Sequence, residues 1–146
     1  MNEDFVTKIF FSAITTCAES GHLKVWKYRE KEQVEIKTGN HVSKMQSAGL
    51  NSGIVATGGK DNVLKLWNLE TSTNIFKAKN QKDFLELQKP IFISDMVIFP
   101  NTEYKVATCN RHGFLWLYDT KAKKAPVIEF ETPKRVPTSI SLTCHE

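Results

Sequence analysis

Three ungapped twelve-residue stretches decide the fold: TTCAESGHLKVW at 15–26, ATGGKDNVLKLW at 56–67 and ATCNRHGFLWLY at 107–118. Threonine recurs as Thr16, Thr57 and Thr108, leucine as Leu23, Leu64 and Leu115, and a large aromatic closes each stretch as Trp26, Trp67 and Tyr118. The intervals are 41 and 51 residues. Self-similarity at such a period marks a chain built of stacked structural units. Each stretch reads as a β-hairpin, because short β-rich runs such as 53–57 and 63–67 flank a polar turn of Gly, Asp, Asn, Lys or Arg, residues that adopt turn geometry at low cost.

Strand-like runs fill the intervals. They lie at 34–37, 74–78 and 127–131 after the hairpins, and at 41–45 and 93–99 before them. About four short strands per unit of roughly 40 to 45 residues is the pattern of a WD-repeat β-propeller blade, so the expected fold is all-β. The units divide as blade 1 at about 4–38, blade 2 at about 39–79, an inserted loop at about 79–91 and blade 3 at about 92–131. The remaining RVPTSISLT at 135–143 reads as the first strand of a fourth blade. Propellers close with typically four to eight blades. The chain is therefore expected to be part of a longer propeller, from a fragment or an incomplete gene model, with apolar surface on its two end faces.

An aromatic at the same place in every unit fills the wedge between neighbouring sheets, which assigns Trp26, Trp67 and Tyr118 to blade packing. In blade 2, His41 follows Gly39 and Asn40, Thr57 lies in the second strand, Asp61 in the turn and Trp67 at the end of the third strand. This spacing resembles the His, Thr, Asp and Trp hydrogen-bonded chain of WD-repeat families and is read as structural. Buried polar groups of this kind need partners, and leaving one unpaired costs about 1–3 kcal/mol. Blade 1 has Ser20 in place of Asp61, and blade 3 has His112.

Composition narrows the function classes. The 146 residues suit one domain, and 40% apolar with 25% charged residues is ordinary for a globular chain. A net charge of +4 is mild; it permits an anionic partner without requiring one. No run reaches the roughly 18 apolar residues of a membrane span, and the acidic opening MNED is unlike a basic leader, which points to cytosol or nucleus and to no membrane role. Cys17, Cys109 and Cys144 form no paired motif and are expected to be reduced, buried thiols, while the four histidines show no metal-ligand spacing. No phosphate-loop, dinucleotide, zinc-protease or nucleophile-elbow motif occurs, and Gly58-Gly59-Lys60 reads as a hairpin turn. Neither a cofactor nor a small-molecule substrate is implied.

The second interval is longer because of the segment between Thr71 and Phe92, which holds Lys77, Lys79, Lys82 and Lys89 against Asp83 and Glu86. Insertions in repeat proteins fall in loops, often on a binding face. Phe84, Leu85 and Leu87 are expected to tuck onto the blade. A second basic cluster comprises Lys121, Lys123 and Lys124, with Lys134 and Arg135 beyond. Such clusters attract phosphates without reading sequence. Candidate partner or RNA contacts are Lys60, Lys77, Lys79, Asn80 and Lys82.

IVATGGKDNVLKLWNLE at 54–70, FKAKN at 76–80, DFLELQKPIFISDMVIFP at 83–100 and VATCNRHGFLWLYD at 106–119 closely resemble the WD repeat-containing protein 74 family of ribosome-assembly factors. By position, Gly58, Gly59, Lys60 and Asn62 match the family hairpin, and Lys77, Ala78, Lys79 and Asn80 its inserted loop. Asn68 departs from the Asp that usually follows the Trp. The resemblance implies a seven-bladed, non-catalytic scaffold of the nucleolus. It would act in rRNA processing, docking on proteins of pre-60S ribosomal particles and on their rRNA, with release by an AAA-type ATPase and links to the exosome-associated RNA helicase. Two other readings compete: a generic WD-repeat adaptor, such as a ubiquitin-ligase substrate receptor, and a propeller hydrolase. The hydrolase would need carboxylates, histidines or metal ligands clustered around the channel, and the repeats show none.

Overall fold

The computed structural model describes residues 13–27, 33–49 and 52–143, and all regular structure within them is β. Eleven strands follow in chain order: β1 (Ala13–Cys17), β2 (His22–Lys27), β3 (Val34–Lys37), β4 (Val42–Ser47), β5 (Ile54–Gly59), β6 (Asn62–Asn68), β7 (Thr73–Lys77), β8 (Ile93–Ile98), β9 (Lys105–Asn110), β10 (Phe114–Asp119) and β11 (Ile128–Glu131). They form three antiparallel meanders, of three strands (β1 to β3), four (β4 to β7) and four (β8 to β11). The three repeated stretches are the β1–β2, β5–β6 and β9–β10 hairpins. Residues 4–12, where blade 1 was expected to begin, lie outside the described residues, as does Cys144.

Period-two alternation drives the stacking. In β6, Leu64 and Leu66 are buried while Val63 and Lys65, which alternate with them, are only half-buried. Two apolar slabs result. Leu23, Val25 and Ile36 of the first sheet meet Val55 and Trp67 of the second. Leu64, Leu66 and Phe76 of the second meet Ile93, Met96, Trp116 and Tyr118 of the third. Trp67 and Tyr118 thus sit at equivalent places, each facing the preceding sheet. Trp26 has no described sheet before it and is 42% exposed, as is much of the neighbouring Ile14. At the other end Ile128 and Phe130 of β11 are exposed.

The first strands of successive sheets are tied by a repeated polar link. Ser43 Oγ, on the second residue of β4, donates to Ile93 O at 2.5 Å, and Lys44 Nζ lies 2.9 Å from Asp95 Oδ1. Ser94 Oγ, on the second residue of β8, donates to Pro137 O at 2.8 Å, and Ile140 N donates to Asp95 Oδ2 at 3.0 Å. The segment 135–143, expected to be a strand, therefore takes the place of the next first strand without being one. A strand needs a ladder partner, and none among the described residues pairs with it.

The hairpin turns are closed in a second repeated way. Thr38 donates through both its N–H and its Oγ1 to Gly21 O, at 2.8 and 3.0 Å. Thr132 does the same to Gly113 O, at 2.7 and 3.0 Å. Gly21 has φ +85°, and a Cβ there would lie 1.9 Å from Gly39 O, so only glycine fits.

Candidate partner-binding surface

The four-residue chain expected in blade 2 is made at one link. Trp67 Nε1 donates to Thr57 Oγ1 at 2.9 Å, within the β5–β6 pair. His41 and Asp61 are exposed, both at positive φ (58° and 52°), and neither side chain joins Thr57. Their backbones do the structural work: Lys60 N donates to His41 O at 3.0 Å and Asp61 N to Ile91 O at 2.9 Å. The polar network that replaces the expected one is centred on Asn62, the residue aligned with Gly21 and Gly113. Asn62 Nδ2 donates to Asn40 O at 2.9 Å, and Lys65 Nζ donates to Asn62 Oδ1 at 2.9 Å and to Thr38 O at 2.8 Å. Lys65 was not anticipated, because a lysine inside an alternating strand reads as a solvent-facing residue.

The Thr–Trp link is repeated in the first sheet, where Trp26 Nε1 donates to Thr16 Oγ1 at 3.1 Å. In the third sheet Tyr118 replaces the tryptophan, and the Thr108 hydroxyl is left buried without a hydrogen-bond partner among the described residues.

Lys60 and Lys77, candidates from the sequence, both line an open cleft of about 310 Å³ with Asn40, His41, Asp61 and Lys65. Burial, and then the positive charge of Lys77, lower the Lys65 pKa from its ordinary value. Lys79 lies elsewhere. Its N–H donates to Lys124 O at 2.9 Å, which sets Lys79 beside the second basic cluster of the sequence. Asn80 presents no carboxamide oxygen to a partner, since Asn80 Oδ1 is buried and without a donor among the described residues. Lys82 pairs with Glu86 at 3.1 Å.

Phe84, Leu85 and Leu87 do not tuck onto the blade: they are 91%, 61% and 61% exposed. Polar anchors hold the insertion instead. Lys89 forms an ion pair with Glu129, whose other oxygen accepts from Trp116 Nε1 at 2.5 Å, and the Lys89 ammonium sits 4.8 Å from the Phe114 ring centroid. Lys89 thus belongs to the anchor rather than to a free basic patch. Among the described residues no three His, Cys, Asp or Glu side chains gather as metal ligands. Of the described thiols Cys109 is buried and Cys17 half-buried; burial raises the Cys17 pKa against a hydrogen bond with Thr38 that lowers it.

No protein-family model matches the chain. WD repeat-containing protein 74 of Bos taurus is 34% identical over 138 residues, 89% of this chain and 36% of that protein. The Homo sapiens protein of the same name is 33% identical over the same shares. Ribosome biogenesis protein NSA1 of Meyerozyma guilliermondii is 30% identical over 115 residues, 70% of this chain and 29% of that protein. The chain spans about a third of the length of the curated relatives it matches. Among solved structures, the computationally designed Ika8 and Ika4 proteins superpose with a TM-score of 0.71 at 15% identity, covering 91% of this chain and 38% and 75% of theirs, a likeness of fold alone. With its stacked antiparallel meanders and this similarity along most of its length, the chain is a partial WD repeat-containing protein 74-like protein, a fragment of a WD-repeat propeller.

Proposed function

We propose that the protein is a non-catalytic scaffold in biogenesis and rRNA processing of the large ribosomal subunit, acting in the nucleolus by docking on pre-ribosomal particles through its propeller loops. The observation that carries this reading is the similarity over most of the chain to proteins named for WD repeats and for ribosome biogenesis. The meeting of Lys79 with the second basic cluster supports it. Lys79 and Lys124 meet through their backbones, so the exposed Lys79, Lys123 and Lys124 lie close together, where anionic groups of the particle, acidic protein surface or rRNA phosphate, would be held electrostatically. Rigid sheets hold the loops in fixed relation, so several weak contacts add on one particle. Release by an AAA-type ATPase and a link to the exosome-associated RNA helicase belong to the same proposal.

The test is co-sedimentation of the protein with large-subunit precursors. The variant K79E/K123E/K124E is expected to leave the precursor fractions at moderate salt. Wild-type sedimentation that never coincides with large-subunit precursors contradicts the reading and favours a general WD-repeat adaptor.

A further inference from the structure

The tip of the insertion is a built feature that the scaffold reading does not use. Lys89 N donates to Gln81 O at 2.7 Å, and Lys82 and Gln88 form an antiparallel bridge. Asp83 N donates to Leu87 O at 2.8 Å, closing the loop, and Asp83 Oδ1 accepts from Leu85 N at 2.8 Å and Leu87 N at 3.0 Å. Glu86, at φ 62°, donates its N–H to Asp83 O and pairs its carboxylate with Lys82. The base is fixed to the third sheet by Lys79 on Lys124 O and by Lys89 on Glu129. A floppy excursion would let its apolar side chains collapse onto the nearest sheet, as hydrophobic burial favours. Here every polar group named fixes the turn in a shape that keeps Phe84, Leu85 and Leu87 in water.

We propose that this tip is a protein-docking knob, whose Phe84, Leu85 and Leu87 enter an apolar cleft on a folded partner rimmed by carboxylates. The acidic rim follows from charge complementarity. The carboxylates of the tip are already committed, Asp83 to backbone N–H groups and Glu86 to Lys82, while the base, where Lys79 meets Lys124, carries the exposed Lys79, Lys123 and Lys124. A protein is favoured over single-stranded RNA because bases stack on aromatic rings, and two of the three exposed side chains are aliphatic. Large apolar side chains entering a desolvated pocket are how protein interfaces concentrate their binding energy.

The proposal does not rest on the ribosome-assembly reading; a docking partner outside any pre-ribosomal particle would leave it standing. It is tested in cells on the full-length protein carrying the photo-crosslinking amino acid p-benzoylphenylalanine at position 84. The expected result is one dominant protein adduct. Its crosslinked residue should lie in an apolar cleft flanked by Asp or Glu. F84S/L87S, made in the protein without the photo-crosslinker, should lower recovery of that same partner at least about tenfold. Replacing 83–87 by Gly and Ser residues should give the same loss and so guards against a misfolded point variant. Adducts to RNA, adducts confined to the chain itself, a cleft without acidic residues, or unchanged recovery with F84S/L87S would each overturn it.

Discussion

The Trp67 indole donates to the Thr57 hydroxyl across the β5–β6 pair, 2.9 Å between Nε1 and Oγ1, and the same bond joins Trp26 to Thr16 at 3.1 Å. Where Tyr118 stands in place of tryptophan, Thr108 loses its donor and remains buried. The repeat is therefore one of energetics as well as of shape, and its third copy carries a defect.

That contrast predicts opposite outcomes for one substitution. Thr57→Val leaves the Trp67 N–H without its acceptor and should destabilise the protein by about 1–3 kcal/mol. Thr108→Val removes a hydroxyl that has no partner among the described residues, fills nearly the same volume, and should be neutral or stabilising by up to about 1 kcal/mol. Urea denaturation midpoints of the two variants check this, and equal losses would show that Thr108 has a partner.

The packing aromatics are expected to differ by position. Tyr118, buried between the second and third sheets, should cost about 3–5 kcal/mol when changed to alanine. Trp26, 42% exposed on the outer face of the first sheet, should cost less than half as much. Thermal denaturation of the two variants under one set of conditions gives the comparison.

Asp95 sets an acid limit. Burial alone would raise its pKa, but the hydrogen bond from Lys44, the N–H groups of Ile140 and Met96, and the Lys44 charge outweigh it and hold the carboxyl below its ordinary value. Because the folded pKa is the lower one, the stabilisation is fully present above the unfolded value of about 3.9 and is lost as pH falls through the folded value. Stability followed from pH 6 to about pH 2 should drop at the acid end. The Asp95→Asn variant should show a shallower drop and a lower plateau near pH 6.

Ser94→Ala should release the C-terminal segment, since Ser94 Oγ is the donor to Pro137 O. Amide exchange at Ile140, whose N–H is held by Asp95, should quicken about fivefold or more while β9 and β10 keep their protection. Unchanged exchange at Ile140 would place the hold on 137–140 elsewhere.

Much of the architecture was legible because the signal was periodic. The hairpin stretches aligned without gaps, and the strand-like run at 34–37 coincides with β3 (Val34–Lys37). What the sequence concealed is local. His41 and Asp61 share the spacing of a buried network, yet their positive φ values turn them outward, and a backbone angle leaves no trace in residue spacing. Lys65 escaped notice because only the folded loop at 38–40 supplies the carbonyl that receives it. Phe84, Leu85 and Leu87 looked like residues seeking cover, because hydrophobicity is visible in sequence whereas the Asp83 carboxylate holding their backbone outward is not. The segment at 135–143 has strand composition but no ladder, and pairing is a property of neighbours.

The central claim is that successive meanders stack with their first strands side by side, and a double-mutant cycle between Lys44 of β4 and Asp95 of β8 tests it most directly. With Lys44→Ala, Asp95→Ala and the double variant measured by chemical denaturation at pH 7, the account predicts a coupling of about 0.5–1.5 kcal/mol, reduced from a fully buried pair because Lys44 is partly exposed. Strictly additive losses at low salt would mean that β4 and β8 are not neighbours and would contradict the stacked-blade arrangement.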